Sequence, residues 1–443
     1  MARAWFGTDG IRGTANERLS PDLALRVGRA AALHIGGTPT ILIGRDTRRS
    51  GPMLEDALAA GIASAGGRAV RLGVVPTPAV AWAVRERGAD AGIVVSASHN
   101  PFPDNGIKLF GPDGHKLLDA AEEEIEVLLD HAGPGPTGAA VGWSEEAPGA
   151  AAAYAAWVAE RSGVRLDGLR IVVDCAHGAA VTVAPLLFTA LGVEAELIAC
   201  SPNGVNINVD CGSTHLAHVT AAVRASRADL GVAFDGDADR VLLCTAAGDP
   251  VDGDHVLAIL ARDLLDRGAL PGRRVVVTSM ANLGVHRALA ALGCAVETTD
   301  VGDRYVLEAM LREGAVLGGE QSGHVIALDH QTTGDGPLTA VLVLAALARS
   351  GQSLAEAAGA IEKYPQRLIN VRADRAGLAS CSAVHAAVAA AEAQLGDEGR
   401  IVLRASGTEA LVRVMVEARD PAACERIAVD LAALVERALP VDD

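Results

Sequence analysis

Three aspartates stand two residues apart in the segment Asp235-Gly-Asp237-Ala-Asp239-Arg240, which directly follows an apolar run. Carboxylate oxygens at this spacing are ligands that suit a hard cation such as Mg²⁺ or Ca²⁺. A calcium-binding EF-hand loop is excluded because its sixth and twelfth positions, normally Gly and Glu, are Arg240 and Ala246 here. A solvated acidic turn is the ordinary alternative, but the position at a strand end favours a metal site.

A serine and a lysine in the first third of the chain could take part in covalent catalysis. Ser98 lies in the turn Ser96-Ala-Ser-His-Asn-Pro101, and a serine nucleophile needs a base. Because neighbouring side chains usually diverge, His99 is not expected to pair with it. Lys108 is one of only three lysines, and a lysine can exchange a proton where an arginine cannot. Burial and a nearby Arg12 would lower its pKa, whereas a phosphate would raise it, so both directions stay open.

Ordinary structural interpretations of both residues remain available. A hydroxyl-rich turn stopped by Pro101 would explain the serines, and a surface lysine would explain Lys108. The ordinary turn is preferred for the serine segment taken alone, whereas the scarcity of lysine favours a functional Lys108.

A polar turn near the C-terminal end offers groups that bind anions. It reads Arg404-Ala-Ser406-Gly407-Thr408-Glu409, which combines two hydroxyls, an arginine and the amides around a glycine. Exposed backbone amides and a guanidinium suit a phosphate group. Arg413, on the strand that follows, could supply a second guanidinium. An ordinary turn is the alternative.

The elements that must position these groups recur in a fixed order along the chain. Each of three stretches has a β-branched strand, a helical segment ending at Gly, a second strand and later a third. These strands are predicted at 40–48, 66–70 and 92–95, then 170–174, 192–198 and 231–234, then 274–278, 293–296 and 315–317. Short apolar strands alternating with helices indicate α/β domains whose sheets, mixed but mainly parallel, are covered on both faces.

A polar loop follows the last strand of each stretch, at 96–101, 235–240 and 319–324. Ligands bind outside the carboxyl ends of strands in such sheets, so the three loops imply one composite site between domains. A smaller α+β unit begins near residue 367, with a helix around 383–394 and strands at 400–404 and 411–417. The predicted domain limits are 1–148, 149–252, 253–366 and 367–443.

Length and composition restrict the class of protein. The chain has 443 residues, half of them hydrophobic, which is enough to bury two to four cores. Its net charge of −17 makes nucleic acid an improbable partner. No lysine is followed by Ser or Thr, so a Walker A loop is impossible. The seven cysteines form no C-x-x-C pair, which argues against a zinc site or a disulfide framework.

No segment of the sequence predicts a membrane association. The first residues lack an apolar signal core. The apolar run at 338–348 is shorter than the ~20 residues that a membrane span requires. We therefore expect a soluble, cytoplasmic protein with no membrane partner.

Taken together, these segments are typical of phosphoryl transfer through a phosphoserine. Over nearly its whole length, the sequence closely resembles the α-D-phosphohexomutase family. The matching stretches, in order, are Phe6-Gly-Thr-Asp-Gly-Ile-Arg-Gly13, Gly44-Arg-Asp-Thr-Arg48, Ser96-Ala-Ser-His-Asn-Pro101, Asp235-Gly-Asp-Ala-Asp-Arg240, Val301-Gly-Asp-Arg-Tyr-Val306, Gly319-Glu-Gln-Ser-Gly-His324 and Arg404-Ala-Ser-Gly-Thr408.

The resemblance implies four domains around a central cleft, with Ser98 as the phosphorylated serine. One Mg²⁺ per subunit would be held by a phosphate oxygen of Ser98 and by Asp235, Asp237 and Asp239. The sugar hydroxyls would be bound by Glu320 and Ser322. The phosphate that is not reacting would be bound by Arg404, Ser406, Gly407, Thr408 and Arg413. Proton transfer would involve Arg12, Lys108 and His324. One departure is Ala410, where the family usually has Pro; it removes no ligand.

The activity that the resemblance implies is the interconversion of glucosamine 6-phosphate and glucosamine 1-phosphate, feeding UDP-N-acetylglucosamine and cell-wall precursor synthesis. It would run through a 1,6-bisphosphate that reverses end for end, with glucosamine 1,6-bisphosphate or glucose 1,6-bisphosphate as activator. The net charge opposes an anionic substrate at long range, so a local cluster of Arg12, Arg404 and Arg413 would be needed. A homodimer is one option for the assembly.

Two alternatives to this activity remain. A phosphomannomutase/phosphoglucomutase of the same family is the first, and Gln321 together with the loop 302–306 argues against it. The second is a sugar-phosphate binding protein without catalysis. It is disfavoured because binding alone needs neither Ser98 nor three aspartates.

Overall fold

Four separate β-sheets follow one another along the chain in the computed structural model, which describes residues 4–7, 9–131, 133–405 and 411–440. The strands are β1 (Phe6–Gly7), β2 (Gly10–Thr14), β3 (Thr40–Arg45), β4 (Arg68–Val74), β5 (Ala91–Val95), β6 (Asp104–Phe110), β7 (Trp143–Glu146), β8 (Arg170–Asp174), β9 (Glu194–Ile198), β10 (Leu230–Phe234), β11 (Val241–Thr245), β12 (Pro250–Val251), β13 (Arg274–Thr278), β14 (Ala295–Thr299), β15 (Leu317–Gly319), β16 (Val325–Ala327), β17 (Gln366–Arg372), β18 (Gly399–Ala405) and β19 (Leu411–Ala418). We call the corresponding domains first to fourth.

Helices pack on these sheets. They are α1 (Pro21–Ile35), α2 (Gly51–Ser64), α3 (Thr77–Arg87), α4 (Asp119–His131), α5 (Ala150–Glu160), α6 (Ala184–Ala190), α7 (Ala217–Ser226), α8 (Gly253–Asp266), α9 (Leu283–Ala291), α10 (Asp303–Glu313), α11 (Gly336–Ser350), α12 (Leu354–Ala358), α13 (Ser382–Leu395) and α14 (Pro421–Ala438). In the described part of the chain, none of them is long and apolar enough to cross a membrane.

The first sheet has seven strands in the order β1-β2-β6-β5-β3-β4-β7. Its strands β5, β3, β4 and β7 are parallel, whereas β6 returns antiparallel beside β5. Helices α1 and α2 pack closely because Gly28 and Gly61 each lie against the backbone of the other helix. A Cβ on Gly61 would lie 2.0 Å from the Leu25 carbonyl oxygen. The side chain of Ser20 caps α1 by accepting from the amide of Leu23.

The second and third sheets repeat the plan that places the polar loops. Their orders are β12-β11-β10-β8-β9 and β14-β13-β15-β16. In each, a central parallel strand is followed by an antiparallel return, β10 to β11 and β15 to β16. The three polar loops therefore occupy equivalent turns, after β5, β10 and β15. This confirms the predicted mixed α/β sheets.

The fourth sheet is antiparallel, in the order β17-β19-β18, and is covered by α13 and α14. This confirms the predicted α+β module. Its apolar core is separate, whereas one continuous core runs through the first three domains. Polar contacts, among them those of Glu417 with Asn282 and Leu283, join the fourth domain to the third. The domain limits proposed from the sequence stay predictions.

Candidate active site

Ser98 lies in the turn between β5 and β6 and is almost fully buried. Its hydroxyl donates to Asp235 Oδ2 at 2.5 Å, which joins the first and second domains. The backbone φ of Ser98 is 50°, a left-handed conformation that non-glycine residues rarely adopt. The turn that this conformation makes decides which side chains surround the hydroxyl.

His99 contradicts the expectation that neighbouring side chains diverge. Its Nδ1 lies 3.3 Å from Ser98 Oγ. Side chains alternate only in extended backbone, and the left-handed φ of Ser98 brings both side chains to one side of the turn. Burial, followed by the charges of Arg240 and Arg12, lowers the pKa of His99 to about 4. The ring is therefore neutral at neutral pH.

The three aspartates converge at the end of β10, beside Ser98. One carboxylate oxygen from each of Asp235, Asp237 and Asp239 lies within 4.8 Å of the others, and all three residues are buried. Within the described part of the chain, the Oδ1 atoms of Asp237 and Asp239 are buried without a hydrogen-bond partner. Burial, reinforced by the two neighbouring aspartates, raises the pKa of Asp235 well above its usual range. Unpaired, clustered carboxylate oxygens of this kind fit a hard divalent cation.

Lys108, on β6, is 1% exposed and lies among carboxylates. Its Nζ is 3.0 Å from Asp237 Oδ2, 3.3 Å from Asp9 Oδ2 and 3.6 Å from Asp239 Oδ2. Burial alone would lower its pKa, but these carboxylates, Asp237 first, raise it above the usual range. The direction that the sequence left open is thus decided in favour of a charged ammonium.

Arg12, on β2, faces the same turn. Its Nη1 lies 3.5 Å from Asn100 Oδ1, in the serine loop, and its Nη2 donates to Asp9. Asp9 in turn contacts Lys116, which also pairs with Asp303 of the third domain. Sequence reasoning did not single out Asp9, Lys116 or Asp303. The signal for the two aspartates was available, because both lie in stretches that carry the family resemblance.

His324 closes the site from the third domain and is buried. Its Nδ1 is 3.6 Å from Asp239 Oδ2, and its Nε2 accepts from the amide of Gly334 at 3.1 Å. Burial would lower the pKa of His324, but Asp239 and then Asp303 raise it. The Gly334 amide opposes protonation of the His324 ring, because only an unprotonated Nε2 can accept its hydrogen bond.

Glu320 and Ser322 lie in the loop between β15 and β16 and are half-buried. Glu320 Oε1 accepts from the amide of Gly302 at 3.0 Å, and its Oε2 accepts from Ser322 Oγ at 3.1 Å. These contacts hold the carboxylate in one orientation. A carboxylate and a hydroxyl fixed side by side can bind vicinal hydroxyls.

Arg404 and Arg413 lie opposite each other on β18 and β19. Among the described residues, the Nε of each is buried without a hydrogen-bond partner. Burial and the charge of Arg413 lower the pKa of Arg404. Two adjacent guanidiniums with unused donors suit an anion. Ser406, Gly407 and Thr408 lie outside the described residues, so that part of the anion site stays a prediction.

A cavity of about 280 Å³ lies between the first and third domains, beside Lys108 and His324. Lys108, Lys116, Asp303 and His324 are among the residues that line it. The buried charges are therefore accessible to a small polar molecule from this side.

The chain matches known proteins over nearly its full length. Family models described as phosphoglucomutase/phosphomannomutase match domain I at residues 3–133, domain II at 152–248, domain III at 252–364 and the C-terminal domain at 368–434. The phosphoglucosamine mutase of Moorella thermoacetica is 51% identical, covering 96% of this chain and 98% of its own. That of Saccharopolyspora erythraea is 52% identical, covering 97% and 98%.

Solved structures with the same fold as this chain support the match. A phosphoglucomutase/phosphomannomutase family protein from Burkholderia thailandensis has a TM-score of 0.84 at 27% identity, covering 99% of this chain and 98% of its own. The N-acetylphosphoglucosamine mutase of Aspergillus fumigatus, solved with GlcNAc-6P and magnesium, has a TM-score of 0.67 at 19% identity, covering 98% and 96%, and shows the shared fold. With the serine loop and the aspartates in place and matches of this extent, the chain belongs to the phosphoglucomutase/phosphomannomutase family.

Proposed function

We propose that the chain interconverts glucosamine 6-phosphate and glucosamine 1-phosphate, the activity after which its relatives at about 50% identity are named. The observation that carries the reaction class is the 2.5 Å hydrogen bond between Ser98 Oγ and the buried carboxylate of Asp235. It places a nucleophilic oxygen at the edge of a carboxylate cluster in which, among the described residues, two oxygens have no hydrogen-bond partner. Phosphoryl transfer needs these two features together.

The reaction proceeds through two transfers. The P–O bond at Ser98 breaks as the phosphoryl group moves to the free hydroxyl oxygen of the sugar phosphate. The hydroxyl proton leaves to a side chain of the site, and the freed Ser98 oxygen takes up a proton. The resulting 1,6-bisphosphate reverses in the cleft and returns its other phosphoryl group to Ser98, so no phosphate is gained or lost. A bisphosphate of glucosamine or glucose would supply the first phosphoryl group.

Each part of the site contributes one role. Asp235, Asp237 and Asp239 would hold Mg²⁺, which neutralises charge on the phosphoryl oxygens when bound. Glu320 and Ser322 would bind sugar hydroxyls, and Arg404 and Arg413, with Ser406, Gly407 and Thr408, the distant phosphate. The proton would be handled by Arg12, Lys108 or His324. A cytoplasmic location and a homodimer stay predictions.

Two other functions have less support. A preference for mannose or glucose phosphates is disfavoured because the relatives at about 50% identity are named for glucosamine. A protein that only binds sugar phosphates would not need a buried serine against a carboxylate cluster. Parallel assays on glucosamine 6-phosphate, glucose 6-phosphate and mannose 6-phosphate will distinguish the substrates.

Ser98→Ala tests the reaction class directly. We expect it to abolish turnover, because it removes the covalent carrier of the phosphoryl group. Intact-mass measurement should show an adduct of about 80 Da, one added phosphoryl group, on the wild type but not on the variant. Ser96→Ala is the control for the position and should keep the adduct. Full turnover in Ser98→Ala, or an adduct mapped to Ser96, would refute the proposal.

A further inference from the structure

Arg48 is wholly buried beneath the serine loop, at 0% exposure. It follows β3 and belongs to the first domain. A buried arginine normally needs several acceptors, since each of its five N–H groups must be satisfied away from water. Its partners therefore indicate what it does.

All five donors of Arg48 are used. Nε donates to Asp46 Oδ2 at 2.8 Å. Nη1 donates to the carbonyls of Pro101 at 2.6 Å and Asp104 at 2.9 Å. Nη2 donates to the carbonyls of Ser98 and Asn100, both at 2.8 Å. Four of the five acceptors are thus backbone carbonyls in and directly after the turn that carries the proposed phosphoserine.

The amide side of Ser98 is held by the same network. Ser98 N donates to Ser96 Oγ at 3.0 Å, and Ser96 Oγ donates to Asp46 Oδ2 at 2.6 Å. Asp46 also accepts from Arg48, so a closed ring of hydrogen bonds passes through both backbone groups of Ser98. Asn208 of the second domain reinforces it, because its Nδ2 donates to the Ser98 carbonyl at 2.9 Å.

This ring explains how Ser98 keeps its left-handed φ of 50°. Such a conformation persists in a non-glycine residue only where the surroundings over-determine it. With its carbonyl drawn towards Arg48, the residue presents its hydroxyl to Asp235. Arg48 and Asp46 form a buried ion pair of opposite charges, so their long-range field largely cancels and the effect on the site is mainly geometric.

We propose that Arg48 is a positioning residue that fixes the serine loop, so that the Ser98 oxygen returns to one place for both phosphoryl transfers. This inference rests on the proposed function. Ser98 would give its phosphoryl group to one end of the substrate and receive one from the other end. Its oxygen must therefore occupy the same position in both half-reactions. Lysine cannot replace Arg48, because its ammonium offers three donors from a single atom instead of a planar set of five.

Arg48→Lys is the test, with Arg49→Lys as the matched control. Arg49 is adjacent and exposed, and within the described ranges its side chain has no hydrogen bond or ion pair. Both variants are assayed with glucosamine 6-phosphate after phosphorylation by glucose 1,6-bisphosphate, at a temperature where circular dichroism shows each to be folded. We expect kcat of Arg48→Lys to fall ~10²-fold, since a displacement of about 1 Å costs that much, with KM changed less than about threefold. Arg49→Lys should match the wild type.

The outcomes separate this inference from the proposed function. A wild type that shows neither turnover nor an adduct on Ser98 refutes the function. If the wild type is active, two results for a folded Arg48→Lys variant overturn the positioning role. One is a kcat within threefold of the wild-type value, and the other is a change in KM alone. If Arg48→Lys does not fold, Asp46→Asn decides, because it replaces the carboxylate that orients the Arg48 guanidinium with a neutral group of the same shape. A lower kcat at unchanged KM then supports the role, and an unchanged kcat overturns it.

Discussion

Lys108 places one positive charge against the carboxylates of the proposed metal site. Its ammonium lies 3.0 Å from Asp237 Oδ2 and 3.6 Å from Asp239 Oδ2, so it neutralises carboxylates that would also bind a cation. Without a metal, this contact stabilises the acidic cluster. A bound divalent cation would have to share those carboxylates with the positively charged Lys108 ammonium.

We therefore predict opposite effects of Lys108→Met on two measurements. Turnover should fall ~10²–10⁴-fold, because the proposed site loses a charged ammonium that can act as a general acid. Affinity for Mg²⁺, measured by isothermal titration, should rise at least about tenfold, since unit charges about 4 Å apart near a protein surface interact by about 4 kcal/mol. Lys116→Met is the control: Lys116 pairs with Asp9 and Asp303, outside the three aspartates, and should change metal affinity less. Weaker Mg²⁺ binding in Lys108→Met would show that the lysine organises the ligands.

Helix α11 illustrates a constraint at the scale of one element. It starts at Asp335, whose side chain accepts from the amide of Leu338 at 2.9 Å and from Tyr154 Oη at 2.6 Å. Tyr154 belongs to α5, so the cap also connects two helices distant in sequence. Burial raises the pKa of Asp335 to about 6, against the opposing effect of these hydrogen bonds.

This raised pKa predicts a pH dependence of stability. A carboxyl whose pKa is higher when folded contributes stability below its unfolded value, near 3.9, and loses it as pH rises through about 6. The wild type should therefore gain about 1 kcal/mol over Asp335→Asn between pH 7 and pH 5. Calorimetric melting of both proteins across this range measures the difference. Asp420→Asn, at the exposed start of α14, corrects for the loss of a capping carboxylate. A difference that does not vary with pH would contradict the prediction.

At the scale of the whole molecule, the fourth domain is joined to the third through a buried polar centre. Glu417 of β19 is 0% exposed. It accepts from Asn282 Nδ2 at 3.2 Å and the amide of Leu283 at 3.0 Å, both in the third domain. It also pairs with Arg400 Nε at 2.6 Å. This carboxylate therefore connects two domains whose apolar cores are separate.

Removing that carboxylate should uncouple the fourth domain. Glu417→Leu leaves buried donors without an acceptor, a loss typically of about 3–5 kcal/mol when one partner of a buried pair is removed. We expect calorimetry to show an additional, lower melting transition for the fourth domain. Glu362→Gln is the matched control, because Glu362 pairs with Arg419 at the exposed edge of the same joint and should leave the melting profile unchanged. A single, unshifted transition in Glu417→Leu would contradict the prediction.

Much of the architecture could be read from local patterns. The strands 170–174 and 274–278 were predicted with the bounds that the structure has, since β-branched runs between turns have few other conformations. The placement of the three polar loops followed from the same repeat. The tight packing of α1 on α2 at Gly28 and Gly61 could not be predicted, because it depends on which helix faces which.

The sequence by itself determined which chemical groups are present and at which strand ends they stand. Spacing and position at a strand end indicated the three aspartates, and the family resemblance added the serine loop and the two arginines of the fourth domain. Only the tertiary structure decided how these groups act on one another: that Ser98 meets Asp235, that His99 stays beside Ser98, and that carboxylates raise the pKa of Lys108. The reason is physical. Hydrogen bonds and pKa shifts depend on distances of a few Å between groups that lie more than a hundred residues apart along the chain, as Ser98 and Asp235 do.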